Sequence, residues 1–550
     1  MPKVRLSLAQ INPTVGAISA NTAIILAGCK SAAAEGADVV VFGEMTITGY
    51  PIEDLATRES FVLKAQDAVL QLARELVTVG LGDLMVVIGH PALADQKARN
   101  GWAIAQNCAS VIVGGQVIGK YAKHHLPNYS VFDEYRNFVP GDELLIVEHL
   151  GLKFAIVICE DIWQTGGPVG EISNHGADVT LVLNGSPFEV DKDDRRLELV
   201  RALAIKHSTV TAYVNLVGGQ DDLVFDGDSI VVDAAGSVIG RSFQFENDLL
   251  SVDIVGGAAT LASAHPLVKQ DDNWQIWNAL VLGLRDYIAK NGFKSVVLGL
   301  SGGIDSAVCA VIAADAIGSD NVFGISMPSV YSSDHSKSDA QDLADRIGCH
   351  YFTVPIEPMV RSFEDQLQFS GLASENLQAR VRGVILMGLS NQHGHLTLTT
   401  GNKTELAVGY STIYGDSVGG FAPIKDVDKT LVWQLAKWRN DQAINAGLQP
   451  PIPENSITKP PSAELRPGQV DQDSLPDYAV LDEILEQYVG KRAAAASIIE
   501  NGFDADVVHR IVALVDRAEW KRRQGAIGPK ITGMAFGRDR RLPITNKNKE

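Results

Sequence analysis

Short runs of apolar, largely β-branched residues alternate with longer Ala- and Leu-rich stretches along both halves of the chain. The clearest runs lie at residues 38–42, 85–88, 154–158, 179–183, 295–298, 322–325 and 396–399. Most of these runs are apolar at nearly every position and do not alternate with polar residues, which predicts strands buried on both faces. The stretches between the runs predict helices. Together they indicate an α/β protein with buried sheets.

The α/β pattern restarts after a stretch rich in glycine and alanine at residues 255–266. This predicts two domains, 1–265 and 266–550. A second unusual stretch lies further along, where six of the chain's 22 prolines fall between Pro450 and Pro467. Proline disfavours a helix interior, so this stretch is predicted to be a loop.

The composition narrows the class of protein. Hydrophobic residues make up 46% of the 550-residue chain and charged residues 21%, which is typical of a globular protein with a large core. The formal net charge is −19, so we expect neither nucleic acid nor a membrane surface as a partner. We find no apolar run of the ~18 residues that span a bilayer and no apolar leader that would act as a secretory signal.

The five cysteines, Cys29, Cys108, Cys159, Cys309 and Cys349, are scattered and none is in Cys-x-x-Cys spacing. This predicts reduced thiols and a cytoplasmic location.

Three reactive residue types accompany the predicted strands of the first half. Glu44 follows one apolar run, Cys159 follows another, and a lysine-rich segment lies between them. If these groups met, the thiol would be a nucleophile, the carboxylate a proton acceptor and the ammonium an oxyanion stabiliser. Spacing alone is weak evidence, because a cysteine that ends a strand is more often a core residue.

The motifs around these residues resemble the nitrilase (carbon–nitrogen hydrolase) superfamily. They are Gly-Glu-Met-Thr-Ile-Thr-Gly-Tyr-Pro at 43–51, Tyr-Ala-Lys-His-His-Leu-Pro at 121–127 and Cys-Glu-Asp-Ile-Trp at 159–163. The resemblance implies an α-β-β-α sandwich and a catalytic triad of Glu44, Lys123 and Cys159. It selects Lys123 over the nearby Lys120 and implies that Glu134 supports the lysine.

Finer features resemble the glutaminase branch of that superfamily. They imply that Tyr129, Ser186 and Lys192 contact a glutamine substrate, although Lys192 lies in a charged run that could simply be solvated. His124 and His125 leave a Cys–His mechanism open as an alternative, but histidines in such a run more often serve as structural hydrogen-bond donors.

A glycine-rich turn is the main feature of the second half. The apolar residues 295–300 lead into Ser-Gly-Gly-Ile-Asp-Ser at 301–306, and Ala-rich residues 307–314 follow. This strand–turn–helix pattern favours phosphate binding, because glycines allow close backbone approach and a helix N-terminus attracts anions. The turn lacks the Lys that ends a Walker A motif. A purely structural turn remains an alternative.

The turn resembles the pyrophosphate loop of the N-type ATP pyrophosphatases, which transfer AMP from ATP. The resemblance implies a Rossmann-like parallel-sheet domain in which Asp305 helps to hold Mg²⁺, a cation that prefers oxygen ligands. The residues implied to contact ATP here are Gly299, Leu300, Ser301, Gly302, Gly303, Ile304, Asp305 and Ser306.

Later segments resemble the synthetase domain of NAD synthetases. They lie at residues 376–382, 399–409, 414–416, 420–426 and 460–468. The implied ATP contacts are Thr400, Lys429 and Ser462. The implied contacts to deamido-NAD are Asn376, Arg380, Glu405 and Lys521, with Glu405 also a metal ligand. Ile413 and Gly420 depart from the lysine and aspartate of many ammonia-using members, so some dinucleotide contacts must be made differently.

The order of the two halves resembles the glutamine-dependent NAD synthetases. It implies that glutamine is hydrolysed to glutamate and ammonia, which amidates deamido-NAD adenylated by ATP and Mg²⁺. The resemblance also implies a homo-oligomer. Two alternatives remain open: a similar amidotransferase with another carboxylate or carbonyl acceptor, and a nucleotide-binding regulator whose sites have decayed.

Overall fold

The computed structural model describes residues 2–95, 101–255, 257–263, 265, 267 and 269–548. The chain forms two compact units, Met1–Gln270 and Asp271–Glu550. Pro266, the first residue of the predicted second domain, lies outside the described residues. Within the described ranges, no helix is long and apolar enough to cross a membrane.

The first unit contains fifteen strands and four α-helices among its described residues. The strands are β1 (Lys3–Gln10), β2 (Val39–Phe42), β3 (Met85–Leu93), β4 (Ala105–Val113), β5 (Gln116–Ala122), β6 (Leu145–His149), β7 (Leu152–Ile158), β8 (Val179–Leu183), β9 (Val210–Val214), β10 (Val217–Gln220), β11 (Leu223–Asp226), β12 (Ile230–Val232), β13 (Val238–Arg241), β14 (Asp248–Val255) and β15 (Ala258–Leu261). The helices are α1 (Ile18–Ala34), α2 (Glu59–Thr78), α3 (Glu134–Asn137) and α4 (Lys192–His207).

Two mixed sheets form the centre of this unit. One has the order β15-β14-β1-β2-β3-β4-β5 and the other β13-β12-β9-β8-β7-β6, while β10 and β11 form a separate two-stranded ribbon. The inner strands β1, β2 and β3 are parallel, as are β7, β8 and β9.

Each central strand contributes to two apolar layers, which explains its continuous apolar run. Val39 and Val41 of β2 belong to a core shared by strands of both sheets, whereas Val40 and Phe42 pack with residues of α1 and α2. Helix α4 covers the other sheet from outside. The unit is therefore the predicted α-β-β-α sandwich.

The second unit contains four strands and twelve α-helices among its described residues. The strands are β16 (Val296–Gly299), β17 (Val322–Ser326), β18 (His350–Thr353) and β19 (Leu396–Thr397). The helices are α5 (Asp272–Lys290), α6 (Ile304–Ile317), α7 (Asp334–Ile347), α8 (Glu357–Leu367), α9 (Leu372–His393), α10 (Lys403–Val408), α11 (Lys429–Asn445), α12 (Glu454–Thr458), α13 (Tyr478–Leu485), α14 (Ala495–Glu500), α15 (Ala505–Arg517) and α16 (Glu519–Arg522).

All strand pairs of the second unit are parallel, in the order β18-β17-β16-β19. Apolar residues of α8 and α9 pack on the sheet, α6 contacts β16 and β17, and a separate apolar cluster joins α10, α13 and α15. This is the predicted Rossmann-like arrangement. The proline-rich stretch differs from its prediction, because α12 forms between Pro453 and Pro460. Proline is compatible with the start of a helix and with the region just beyond its end.

Candidate active sites

Three strand ends of the first unit carry the predicted triad. Glu44 follows β2 by two residues, Lys123 directly follows β5, and Cys159 directly follows β7. Cys159 has φ = 41°, in the left-handed region that few non-glycine residues adopt. A residue strained in this way at a strand end is typical of a functional turn.

Lys123 is the centre of a buried charge cluster. Its Nζ lies 2.8 Å from Glu44 Oε1 and 2.8 Å from Glu134 Oε2, and all three side chains are at most 3% exposed. Asn107 donates to Glu44 Oε1 (2.6 Å) and the backbone N–H of Gly185 donates to Glu44 Oε2 (2.8 Å). The Glu44 carboxylate is thereby held in one orientation.

The electrostatics of the cluster favour a charged lysine and a neutral thiol. Burial alone would lower the pKa of Lys123, but Glu134 and Glu44 outweigh it and raise this pKa well above its usual value. For Cys159, burial and the charge of Glu44 raise the thiol pKa, and Lys123 offsets only part of this effect. Burial raises the pKa of Glu134 to about 7, against the opposing effect of Lys123. A base is therefore needed before the thiol can react.

Two tyrosines border the cluster, and each donates to a carboxylate. Tyr50 donates to Glu134 Oε1 at 2.9 Å. The half-exposed Tyr129 donates to Glu160, the residue after Cys159, at 2.9 and 3.1 Å. Sequence reasoning missed Tyr50, Asn107 and Glu160, although Tyr50 and Glu160 lie within the quoted motifs.

The loop after β8 holds Ser186. Its backbone N–H donates to Asn215 Oδ1 (2.9 Å), and its carbonyl accepts from Asn215 Nδ2 (3.1 Å) and from the buried Arg196 (3.3 Å). Lys192 begins α4, is largely buried and lies 3.7 Å from Glu189. Lys192 is thus not merely part of a solvated charge run.

The two histidines of the alternative mechanism have backbone partners. His124 Nδ1 lies 2.6 Å from the Gly141 carbonyl, and His125 Nε2 lies 3.5 Å from the Gly166 carbonyl. Their rings also contact each other edge to face, with centroids 4.6 Å apart. These contacts favour a structural role for both.

A cavity of about 490 Å³ opens at the carboxyl ends of the strands of the second unit. Most of the residues predicted to contact nucleotide line it. These are Gly299, Leu300, Ser301, Gly303, Ile304, Asp305, Ser306, Asn376, Thr400, Glu405, Lys429, Ser462 and Lys521. Among the described residues with such a prediction, Gly302 and Arg380 are not part of the lining. Arg380 instead donates to the Ile413 carbonyl at 3.2 Å.

The glycine-rich turn is shaped by close backbone packing. Gly302 has φ = 77°, and a Cβ there would lie 2.4 Å from the Ser336 carbonyl oxygen. Its own carbonyl accepts from Ser456 at 3.1 Å. The Ser301 hydroxyl accepts from the Gly303 N–H at 3.2 Å, and α6 begins at Ile304. The turn therefore places backbone N–H groups and hydroxyls at a helix N-terminus.

One buried lysine joins two acidic residues of the cavity. Lys429 Nζ donates to Asp305 and lies 3.6 Å from Glu405 Oε1. Asn402 donates to Asp305 at 2.9 Å. Burial and the charge of Asp305 raise the pKa of Glu405 to about 8, with Lys429 opposing them.

These two carboxylates fit a magnesium ion that also binds phosphate. Asp305 and Glu405 supply hard oxygen ligands on one side of the cavity, and the glycine-rich turn lies beside them. Within the described ranges, no group of three or more His, Cys, Asp or Glu residues could hold a metal by itself. Nucleotide phosphates and water would have to complete its coordination.

Sequence reasoning also missed Arg382, an arginine that lines the cavity. Its Nε donates to the Met327 carbonyl at 3.0 Å. Burial lowers the pKa of its guanidinium, against the smaller opposing effects of Asp416 and Glu464. Arg382 lies two residues beyond the predicted Arg380. Residues two apart on a helix lie on different faces, so of the two only Arg382 lines the cavity.

Comparisons with known proteins identify both units. Residues 5–262 match the carbon-nitrogen hydrolase family and residues 276–525 match the NAD synthase family. A glutamine-dependent NAD(+) synthetase from Acinetobacter baylyi is 44% identical over 552 residues, and the match covers 99% of both chains. One from Thermotoga maritima is 41% identical over 591 residues and covers 100% of both.

A solved structure agrees with these relatives. The glutamine-dependent NAD+ synthetase from Acinetobacter baumannii, in complex with adenosine diphosphate, superimposes with a TM-score of 0.77 at 41% identity and covers 99% of both chains. Sequence and fold thus match over the full length of both proteins. The chain belongs to the family of glutamine-dependent NAD(+) synthetases.

Proposed function

We propose that Cys159, Glu44 and Lys123 release ammonia from glutamine, and that the cavity beside the glycine-rich turn uses this ammonia to amidate adenylated deamido-NAD. The observation that carries the first assignment is the buried ammonium of Lys123, held between Glu44 and Glu134 beside the nucleophile. Such a cluster is costly to bury without a chemical reason.

Cys159 attacks the carboxamide carbon of glutamine, and Glu44 accepts the thiol proton. Because the thiol pKa is raised in the free site, the proton moves as the carbon–sulfur bond forms. Lys123 donates to the oxyanion of the tetrahedral intermediate. Glu44 then returns the proton to the departing nitrogen, and ammonia leaves behind a thioester.

Water completes the cycle. Glu44, a carboxylate again, takes a proton from the attacking water, and Lys123 again stabilises the oxyanion. Collapse of this second intermediate breaks the carbon–sulfur bond, and the thiolate regains the proton held by Glu44. Glutamate leaves and the resting site is restored.

The polar residues around the thiol fit an amino-acid substrate. The Glu160 carboxylate carries a full negative charge and the Tyr129 hydroxyl oxygen a partial one. Both charges attract an α-ammonium group. Lys192 provides a cation for the α-carboxylate. Ser186 provides a hydroxyl on a loop that its hydrogen bond to Asn215 holds in place. We assign these residues to glutamine binding.

In the second unit, the nicotinate carboxylate of deamido-NAD attacks the α-phosphorus of ATP and pyrophosphate leaves. The backbone N–H groups and hydroxyls of residues 301–306 receive the pyrophosphate, and Lys429 adds positive charge. Ammonia then attacks the acyl adenylate, loses a proton and displaces AMP, which leaves the amide of NAD. Arg382 is a further donor for the negatively charged reactants.

Mg²⁺ would be held by Asp305 and Glu405 together with the phosphates of ATP. When bound, it neutralises phosphate charge. Lys429 contacts both of these carboxylates. Thr400, Ser462, Asn376 and Lys521 line the same cavity and are assigned to the two nucleotides.

Two properties of the whole protein, its location in the cell and its oligomeric state, accompany this function. The scattered free cysteines support a cytoplasmic location, where thiols stay reduced. Exposed apolar side chains at Phe363, Leu367, Phe369 and Leu372 support a homo-oligomer, because patches of this kind are often buried in assemblies. Sedimentation at several concentrations tests the assembly; a single monomeric species would contradict it.

Competitive labelling tests the glutamine site. Cys159 should be alkylated by iodoacetamide, and glutamine should slow that reaction because it occupies the same pocket. Cys349, a partly buried cysteine of the second unit, is the matched control whose labelling glutamine should leave unchanged. Peptide mass spectrometry reads both positions. Labelling of Cys159 that is indifferent to glutamine would contradict the assignment.

A further inference from the structure

A second buried acid lies next to the nucleophile and has no role in the chemistry above. Asp161 is fully buried, two residues after Cys159. Its Oδ1 accepts from the backbone N–H groups of His124 (3.0 Å) and His125 (2.8 Å). Its Oδ2 accepts from the Tyr121 hydroxyl (2.8 Å) and the Ile158 N–H (3.1 Å). Four neutral donors thus saturate one carboxylate.

The four donors lie on the two segments that carry the reacting groups. Tyr121 and His124 flank Lys123, one on each side, and Ile158 immediately precedes Cys159. Strands β5 and β7 belong to different sheets of the sandwich. A side chain that binds both strand ends therefore fixes one against the other at the point where thiol and ammonium must meet.

The turn at Cys159 needs such support. Its left-handed backbone conformation is unfavourable for a residue with a Cβ, and it persists only where the surroundings hold it. The bond from Ile158 N–H to Asp161 spans this turn and closes it. Packing gives additional restraint, because a Cβ on Gly167 would lie 2.5 Å from the His124 ring, so the following loop lies against the same segment.

We propose that Asp161 is a positioning residue that locks the Cys159 turn to the segment carrying Lys123 and so sets the separation of thiol and ammonium. It makes no contact with the reacting atoms and acts through Cys159 and Lys123. This inference rests on the proposed glutaminase role of those two residues.

The variant Asp161→Asn tests the proposal at nearly constant volume. An amide has one acceptor oxygen, and its NH2 group would face donors that require an acceptor. We expect kcat for glutamate release to fall by about 10²-fold with little change in KM for glutamine, because small misplacements of reacting groups have effects of this size. Ammonium-driven NAD formation should persist, because the second unit is a separate compact unit, and a cooperative thermal unfolding transition of the first unit would show that the variant is folded.

The pH profile of Cys159 alkylation separates positioning from general stability. Lys123 lowers the thiol pKa, so a displaced Lys123 should move the profile to higher pH. Asp228→Asn is the matched control: Asp228 is equally buried in the same unit and its carboxylate binds Arg241. The control should leave the alkylation profile in place.

Several outcomes would overturn the proposal. One is a kcat for glutamate release within about twofold of wild type. Another is a fall in kcat with an unchanged alkylation profile. If Asp161→Asn does not fold, Tyr121→Phe decides, since it removes one of the four donors without a change in charge; an unchanged kcat and profile would then refute the role. If Cys159→Ala still hydrolyses glutamine, the proposed function itself fails, which is a separate result.

Discussion

At the scale of single residues, the first unit buries three charged side chains by pairing them with one another. Lys123, Glu44 and Glu134 are almost completely buried, where an unpaired charge would be very unfavourable. One ammonium shared by two carboxylates makes the charges tolerable but leaves the cluster one negative charge in excess. Burial, together with the charge of Glu44, raises the pKa of the nearby thiol and keeps it protonated. Glu44 can therefore act as the base only when a substrate is attacked.

The raised pKa of Glu134 predicts a pH dependence for glutamine hydrolysis. Below a pH of about 7 this carboxyl gains a proton and stops holding Lys123 by charge. The rate of glutamate release should therefore fall as the pH decreases through this range. Tyr50 donates to Glu134 and lowers its pKa, so Tyr50→Phe should move the acidic limb of the profile to higher pH.

The matched control for this experiment is Tyr488→Phe. Its hydroxyl also donates to a carboxylate, that of Asp516, but it lies in the second unit. Glutamate release measured from about pH 5.5 to about pH 9, which brackets the pKa of about 7 of Glu134, should be unchanged in this control. An acidic limb at the same pH in wild type and Tyr50→Phe would argue against Glu134.

The ammonium of Lys429 should be required for NAD formation in the second unit. Lys429→Met keeps most of the side-chain length but leaves Asp305 and Glu405 without their shared ammonium. NAD formation should fall by about 10²-fold or more with either nitrogen source, because phosphate charge loses a fixed cation. Basal glutamate release should continue. Full NAD synthesis by this variant would show that Lys429 is not part of the site.

The sequence indicated the reactive residues better than their partners. Motif resemblance predicted Glu44, Lys123, Cys159 and Glu134, which the structure brings together at the ends of three strands and in α3. Tyr50 and Asn107 were not predicted, because each binds a residue more than 60 positions away in the chain. Such long-range hydrogen bonds leave no local pattern in a sequence.

At the scale of elements, apolar runs predicted the central strands of both units. The ends of strands were predicted less well, because contacts with residues far away in the chain decide where a strand ends. Residues 396–399 were expected to form a strand, yet β19 ends at Thr397 and Leu398 only bridges to Phe421. The two-stranded ribbon of β10 and β11 was also not predicted, because strands of four residues are too short to show a clear periodicity.

The conformation of the turn before α6 should be required for NAD formation, and the glycine at the other end of the same helix provides a control. Gly302 and Gly318 both have φ near 80°, but a Cβ meets the Ser336 carbonyl only at Gly302 and open space at Gly318. Gly302→Ala should therefore abolish most ammonium-driven NAD formation, because the turn must move away from its phosphate-binding geometry.

Gly318→Ala carries only the backbone cost of its conformation (φ 81°, ψ 146°), which is about 1–3 kcal/mol because few residues other than glycine adopt it. It should lower thermal stability slightly and leave NAD formation close to that of wild type. Measurement of ammonium-driven initial rates and of Tm for both variants separates the two effects. Equal activity of the two variants would show that the Ser336 contact does not shape the site.

At the scale of the whole molecule, one chain joins two chemistries that need each other. The first unit produces ammonia and the second consumes it, and free ammonia in neutral water is mostly ammonium, which is not a nucleophile. Fold class and enzyme family were both predictable from sequence, because each unit carries several separated motifs of its family. How the two sites communicate has no sequence signature of this kind.

The division of labour between the two units is tested by NAD formation in wild type and in Cys159→Ala, each supplied with either glutamine or ammonium, in the presence of deamido-NAD, ATP and Mg²⁺. We expect Cys159→Ala to lose glutamine-driven synthesis and to keep ammonium-driven synthesis at the rate of wild type. Glutamine-driven synthesis that survives in Cys159→Ala would contradict the assignment of Cys159 as the nucleophile that releases ammonia for the second unit.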